Sequence, residues 1–244
     1  MANNPDATIG SNLTSLGKLT AKYTEMGPNY NPSKDSIKLA SLTTLLENAT
    51  AAHKDVGDAR LAYQLITAER AASFMPLDKL VTRCLNTFLT TDALDTVKDN
   101  SKTLAKKIRG IATNKPPKKK VESDQETADK NHSTIQQSYG MITENFGLFI
   151  EMLRSEPTYL PNKDDIKPAA LDALLATMIA KNASVELPYV RWKTALSSRD
   201  NLFFAEKTGL VDRALDSKKY VLGEFGSNSP EYNAVKGIKF IRKY

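Results

Sequence analysis

Residues 30–74 read YNPSKDSIKLASLTTLLENATAAHKDVGDARLAYQLITAERAASF, and residues 159–203 read YLPNKDDIKPAALDALLATMIAKNASVELPYVRWKTALSSRDNLF. A shift of 129 residues lays one on the other with 14 identities in 45 positions. Tyr30, Pro32, Lys34, Asp35, Ile37 and Lys38 recur as Tyr159, Pro161, Lys163, Asp164, Ile166 and Lys167. Leu42, Leu45 and Leu46 recur as Leu171, Leu174 and Leu175, and Val56, Arg70 and Phe74 as Val185, Arg199 and Phe203. One inserted residue later, at a shift of 130, Leu80, Val81, Arg83 and Leu85 return as Leu210, Val211, Arg213 and Leu215. Self-similarity kept in order over this length is the mark of an internal repeat. The reading is a tandem duplication: a first helical repeat over residues 1–112, a linker over 113–133 and a second repeat over 134–244.

Within each copy the apolar period is helical. Leu39, Leu42, Leu45, Leu46, Ala49, Ala52, Val56, Ala59, Tyr63 and Ile66 follow one another at steps of three and four, and Leu171, Leu174, Leu175, Met178, Val185, Val190 and Ala195 do the same. Asp35 and Asp164 stand where each long helix starts and are expected to cap it. The pattern predicts a helix of some forty residues, kinked near Gly57 in one copy and near Pro188 in the other; the alternative is a break at those two points into a hairpin. Shorter helices are expected before it, over 11–26 and 134–155, and after it, over 77–90 and 206–223, with terminal pieces over 95–110 and 230–243. Alternating runs that would signal strands are almost absent. The expected class is all-α: a duplicated long-helix bundle, coiled-coil-like in its stripes, with two pseudo-symmetric halves. The two leucine triplets are expected to be buried together.

Composition narrows the functional classes. The 244 residues are 41% hydrophobic and 25% charged, ordinary values for a globular chain. The longest apolar runs are a few residues, against the roughly 18 needed to cross a bilayer. The opening MANNPDATIG has neither a basic n-region nor an apolar h-region, so a cytoplasmic chain with no membrane partner is expected. Cys84 is the only cysteine, which excludes an intramolecular disulfide and any multi-cysteine metal site. The net charge of +6 is concentrated. Residues 98–120 hold nine Lys/Arg and one acid, residues 233–244 add Lys236, Lys239, Arg242 and Lys243, and the rest of the chain is net acidic. Between the copies, ATNKPPKKKVESDQETADKNHST is too poor in large apolar residues to build a core and reads as a charged, Lys/Pro-rich linker.

The closing string FGSNSPEY, followed by KGIKF, together with the duplicated Y-x-P-x-K-D-x-I-K, resembles a group of uncharacterised helical proteins of Bacteroidetes. The resemblance covers most of both halves. It implies a bacterial, cytoplasmic, all-helical protein of two repeats and brings no activity and no site residue with it.

Catalytic constellations are missing. His53 lies within the long helix and His132 in the linker, and neither has a His-x-x-x-His or Glu-x-x-His neighbour, so no metal site and no cofactor are expected. The eleven glycines form no phosphate-cradling motif. Cys84 falls in a stripe with Leu80, Val81 and Leu85, the setting of a buried structural thiol. Asp164 with Asp165, and Asp95 with Asp99, sit at helix starts, where the helix dipole accounts for them.

Two features remain. Lys98, Lys102, Lys106 and Arg109 share one helical face and lead into the Lys118, Lys119, Lys120 run, a candidate polyanion contact that lacks interleaved aromatics. Arg70 and Arg199 each stand four residues before a phenylalanine, a spacing that suits a guanidinium stem packed on a ring with its fork on a carboxylate. No enzymatic activity is expected. The function expected is that of a structural or interaction protein that assembles with itself into a filament, lattice or oligomer through its helix faces. Nucleic-acid or polyanion binding through 98–120 and 233–244 is the alternative. Apolar residues that differ between the copies are the candidate assembly contacts: Trp192 opposite Tyr63, Phe204 opposite Met75, Phe149 opposite Thr20, and Ile238 and Phe240 in the alternating apolar and basic tail.

Overall fold

The computed structural model describes residues 5–110 and 138–242. Among them are nine α-helices and no strand, so the chain is all-α. In chain order these are α1 (Pro5–Met26), α2 (Leu39–Phe74), α3 (Leu77–Leu89), α4 (Asp95–Arg109), α5 (Tyr139–Arg154), α6 (Pro168–Ala183), α7 (Glu186–Phe204), α8 (Leu210–Phe225) and α9 (Pro230–Lys236). The linker at 113–133, with His132 and Lys118 to Lys120, lies outside the described residues.

The long-helix expectation is met in only one of the two matched segments. α2 runs unbroken for 36 residues through Gly57, whose missing side chain has nothing near it to make way for. Its counterpart is two helices, and the break is at Ser184, which ends α6, four residues before Pro188. The physics places it there. A proline ring collides with the carbonyl of the residue four before it and supplies no N–H to that carbonyl, so the helix stops at 184 and restarts with Pro188 in its first turn, where an N–H is not needed. Ala59 holds the matching position in α2 and imposes no such break.

Asp35 and Asp164 do not cap the long helices. Each opens a single 3-10 turn, Asp35–Ile37 and Asp164–Ile166, and pairs with the lysine three residues on, Lys38 at 2.6 Å and Lys167 at 2.7 Å. The α-helices begin after those lysines, one of them on Pro168. The predicted helix 230–243 ends at Lys236, and 134–155 is helical from Tyr139, with Ser138 Oγ accepting the Met141 N–H at 3.2 Å.

The chain packs as two compact units, one made of residues up to Tyr63 with those from Leu187 on, the other of Gln64–Glu186. This division differs from the halves 1–112 and 134–244: each unit draws helices from both. In the first unit Ile9, Leu16, Leu19 and Tyr23 of α1, Leu42 and Leu45 of α2, Phe203 of α7, Val211, Ala214 and Val221 of α8 and Val235 of α9 form one core. A smaller cluster joins Val56 and Ala59 to Ala195, Trp192 and Leu196. In the second unit Val81, Cys84 and Phe88 of α3, Ala105 and Ile108 of α4, Phe146, Phe149, Ile150 and Leu153 of α5, and Leu171 and Met178 of α6 form the core. Leu42 and Leu45 are buried in the first unit and Leu171 in the second, so the two leucine triplets serve separate cores and are not buried together. Burying each large apolar side chain contributes about 1.5–3 kcal/mol.

Several contacts fall on residues matched by the sequence shift. Tyr30 donates its hydroxyl to the Ile37 carbonyl at 2.6 Å, and Tyr159 donates to the Ile166 carbonyl at 2.9 Å. Arg213 donates to the Ser36 and Ser41 carbonyls, at 2.7 and 3.1 Å, while Arg83 forks onto the Asp165 carboxylate at 2.5 and 3.0 Å. Ser36 and Asp165 are one position at the shift of 129.

Candidate functional site

In the first unit, α7 opens with ELPYVRW, apolar or aromatic on almost every side of two turns. A helix surface of that kind is expected to be covered all round. One side is: Trp192 stacks on Tyr63 with ring centroids 5.5 Å apart and an angle of 15°, and Tyr189 meets both rings. Lys193 lays its ammonium over Trp192 at 5.0 Å, and Asp55 receives a two-pronged bond from Arg191 at 2.5 and 3.0 Å. The other side is bare. Leu187 is 77% exposed and Val190 47%, one turn apart on the same face, and on α2 Leu61 is 55% exposed.

Each candidate assembly contact has a place. Phe149 is fully buried among the α5 core residues of the second unit, so it has no surface to offer a partner. It faces inward because the register of α5 against α1 is offset by one from the long-helix repeat: Phe146, Phe149 and Leu153 occupy the inward positions that Leu16, Leu19 and Tyr23 hold in α1, at a shift of 130. Phe149 therefore corresponds to Leu19 and not to Thr20. Trp192 and Phe204 are half-buried, Trp192 in the small α2/α7 cluster and Phe204 against the first unit's core. Ile238 and Phe240 pack on that same core. The tail that carries them is fastened down. Fully buried Asn12 donates to the Ile241 carbonyl at 2.9 Å and accepts its N–H at 2.8 Å, and Lys218 donates to the carbonyls of Lys236 and Ile238. It is part of its own bundle, not a free docking strand.

The candidate polyanion face on α4 is only partly open. Lys102 and Lys106 are exposed, Lys102 pairing with Asp99 at 2.9 Å, and Lys98 is half-buried. Arg109 turns back to donate to Thr82 Oγ1 at 2.9 Å with Asp78 at 3.8 Å, so its guanidinium serves α3. The face dissolves because Ser101, Ala105 and Ile108, one residue round the helix, carry the buried stripe and draw the flanking positions inward.

The paired arginines depart from the expected packing on the phenylalanine four residues on, and they differ from each other. Arg70 lies over the Tyr139 ring at 4.2 Å. Arg199 is almost wholly buried, its fork on Asp6 at 2.9 Å and Asp200 at 3.0 Å. Burial pushes the Cys84 thiol up to about 11, which leaves it protonated and unreactive near neutrality. Among the described residues no group of acidic, His or Cys side chains is placed to hold a metal, and no helix is long and apolar enough to cross a membrane.

Sequence reading missed a cleft of about 500 Å³ in the first unit, at the junction of α8, α9 and the tail. Its signal lies in the mismatch between the aligned segments. At the shift of 130, Asp212, Asp216, Lys218 and Lys219 stand where α3 has Thr82, Asn86, Phe88 and Leu89. Compared with known proteins, the chain matches no family model, no curated protein and no solved structure.

Proposed function

We infer that the protein is a non-enzymatic helical interaction protein whose partner is a second copy of itself, joined through helix faces of the first unit. The observation that carries this is the bare pair Leu187 and Val190 on α7, with Leu61 outward on α2. Each leaves apolar area in water at a cost of about 25 cal/mol per Å², which contact between copies removes. Support for two copies of one ancestral helical unit comes from the matched bonds Tyr30 to Ile37 and Tyr159 to Ile166, and from the returns of Arg109 to Thr82 and Arg242 to Asp212. Duplication gives related surfaces twice, which favours assembly with like chains.

Sedimentation velocity from low to high micromolar concentration tests the reading. The expected result is a mass that rises with concentration and falls to the monomer in Leu187→Asp with Val190→Asp, at an unchanged melting temperature because both side chains are exposed. A monomer at every concentration overturns it.

A further inference from the structure

The α8 cleft has a charge imbalance that the fold does not use. Four cations, Lys207, Lys218, Lys219 and Arg242, line it against two carboxylates, Asp212 and Asp216. Both carboxylates are already neutralised. Asp212 takes Arg242 Nη2 at 2.7 Å and the Lys207 backbone N–H at 2.8 Å, and Asp216 takes Lys34 at 2.6 Å. The ammonium of Lys218 is held by two backbone carbonyls, which bring no full charge, and burial lowers its proton affinity. Among the described residues the side chains of Lys207 and Lys219 have no ion-pair partner. Three positive charges thus remain around one concavity, whose remaining wall is Leu215, Leu222 and Tyr232.

Two observations separate this from an ordinary solvated surface. Lys207 is the only non-glycine residue with a left-handed backbone among those described, φ 63°, and it is held so by the Asp212 carboxylate on its N–H. The turn that presents it is tight: a Cβ on Gly209 would lie 2.7 Å from the Ala205 backbone. Strain of this kind persists where the surroundings over-determine it and gathers at ligand sites. Lys218, for its part, occupies the position of Phe88, which is fully buried in the second unit's core. The helix folds well with a phenylalanine there, so a lysine part-withdrawn from water is not a requirement of the architecture.

We propose that this cleft binds a small phosphorylated organic compound, its phosphate gathered by Lys207, Lys218 and Lys219 and its body laid against Leu215, Leu222 and Tyr232. A phosphate monoester dianion matches the uncompensated charge and accepts from several ammonium groups at once. The site is independent of assembly, since none of its residues belongs to the bare face of α7.

The test uses the full chain at low ionic strength, titrated calorimetrically with inorganic phosphate and with phenyl phosphate. Saturable binding of both is expected, with phenyl phosphate tighter by about tenfold from the apolar wall. Lys219→Gln and Lys207→Gly are each expected to weaken binding about fivefold or more. Neither is expected to lower the melting temperature, and Lys207→Gly raises it by releasing the left-handed strain. Lys106→Gln on α4 serves as the control and leaves binding unchanged. Absence of saturable binding for both probes overturns the proposal, as does equal weakening by Lys106→Gln, which would mean diffuse attraction to a basic chain. Equal affinity for the two probes removes the organic body from it.

Discussion

The α3 region and the α8 region start from the same sequence frame, L-V-x-R-x-L, and finish with different interiors. Around α3 the core is largely apolar. Cys84 and Phe88 are fully buried with Tyr159, whose ring meets Phe88 at 6.2 Å. Around α8 it is aromatic and hydroxylated: Tyr30 stacks on Tyr23 at 3.9 Å, Tyr220 meets Tyr30 edge-on at 5.5 Å, and Tyr23 donates to Ser217 at 2.9 Å. Burial raises the pKa of Tyr23, Tyr30 and Tyr159 alike. The difference shows that the shared residues set helix position and the unshared ones set interior chemistry. The α8 region, relieved of filling its inner face with Phe88 and Leu89 equivalents, turns those positions into charge.

The sharpest way to break this comparison is to empty the apolar core. Phe149→Ala is expected to destabilise by about 3–5 kcal/mol, with a cavity that α5 cannot close, measured by chemical denaturation. A small loss with reduced assembly instead would return Phe149 to the surface. Next in size is titration of Cys84. Its pKa rises from an ordinary 9 to about 11 in the fold, so the folded chain holds this proton more tightly than the unfolded one. The stability gained is whole below pH 9 and is lost as pH climbs towards 11, an upper bound of about 2–3 kcal/mol. Cys84→Ala is expected to remove that part of the alkaline decline, since Ala214 already fills the matched site near α8.

Asn12→Ala probes the more polar region and is expected to cost about 1–2 kcal/mol, because it frees the tail at Ile241 and removes a buried amide. Hydrogen exchange at Ile241 should rise with it. Smallest is the pair Tyr30→Phe and Tyr159→Phe, each expected to cost about 1 kcal/mol for one lost bond to a carbonyl. Equal costs sharpen the match between the regions, and unequal ones reveal how far the Tyr23 stack supports Tyr30 alone.

Helix positions were legible because the apolar spacing is local. Leu42, Leu45 and Val56 announce α2 unaided, and Pro188 announces a break, although the clash it causes places that break at Ser184. The packing partners were not legible. Nothing in residues 30–74 says that Ser36 meets Arg213, because that pairing joins positions 177 residues apart. Phe149 is opaque in the sequence for a related reason: one residue of slippage between α1 and α5 turns an inward position into an apparently idle one. The cleft at α8 was readable only by comparing the matched segments for lost apolar residues rather than for shared ones, and Lys207 declares itself only through its backbone.

The interleaved make-up of the two units has a consequence for how the chain is made. The unit Gln64–Glu186 is contiguous, whereas the other is closed by segments that flank it on both sides. During synthesis the contiguous unit has all its parts once residue 186 has left the ribosome, while α1 and the front of α2 are still waiting with Leu16, Leu19 and Leu42 uncovered. Their partners on α7, α8 and α9 are translated only after the contiguous unit, so α1 and the front of α2 are sheltered later than helices made after them.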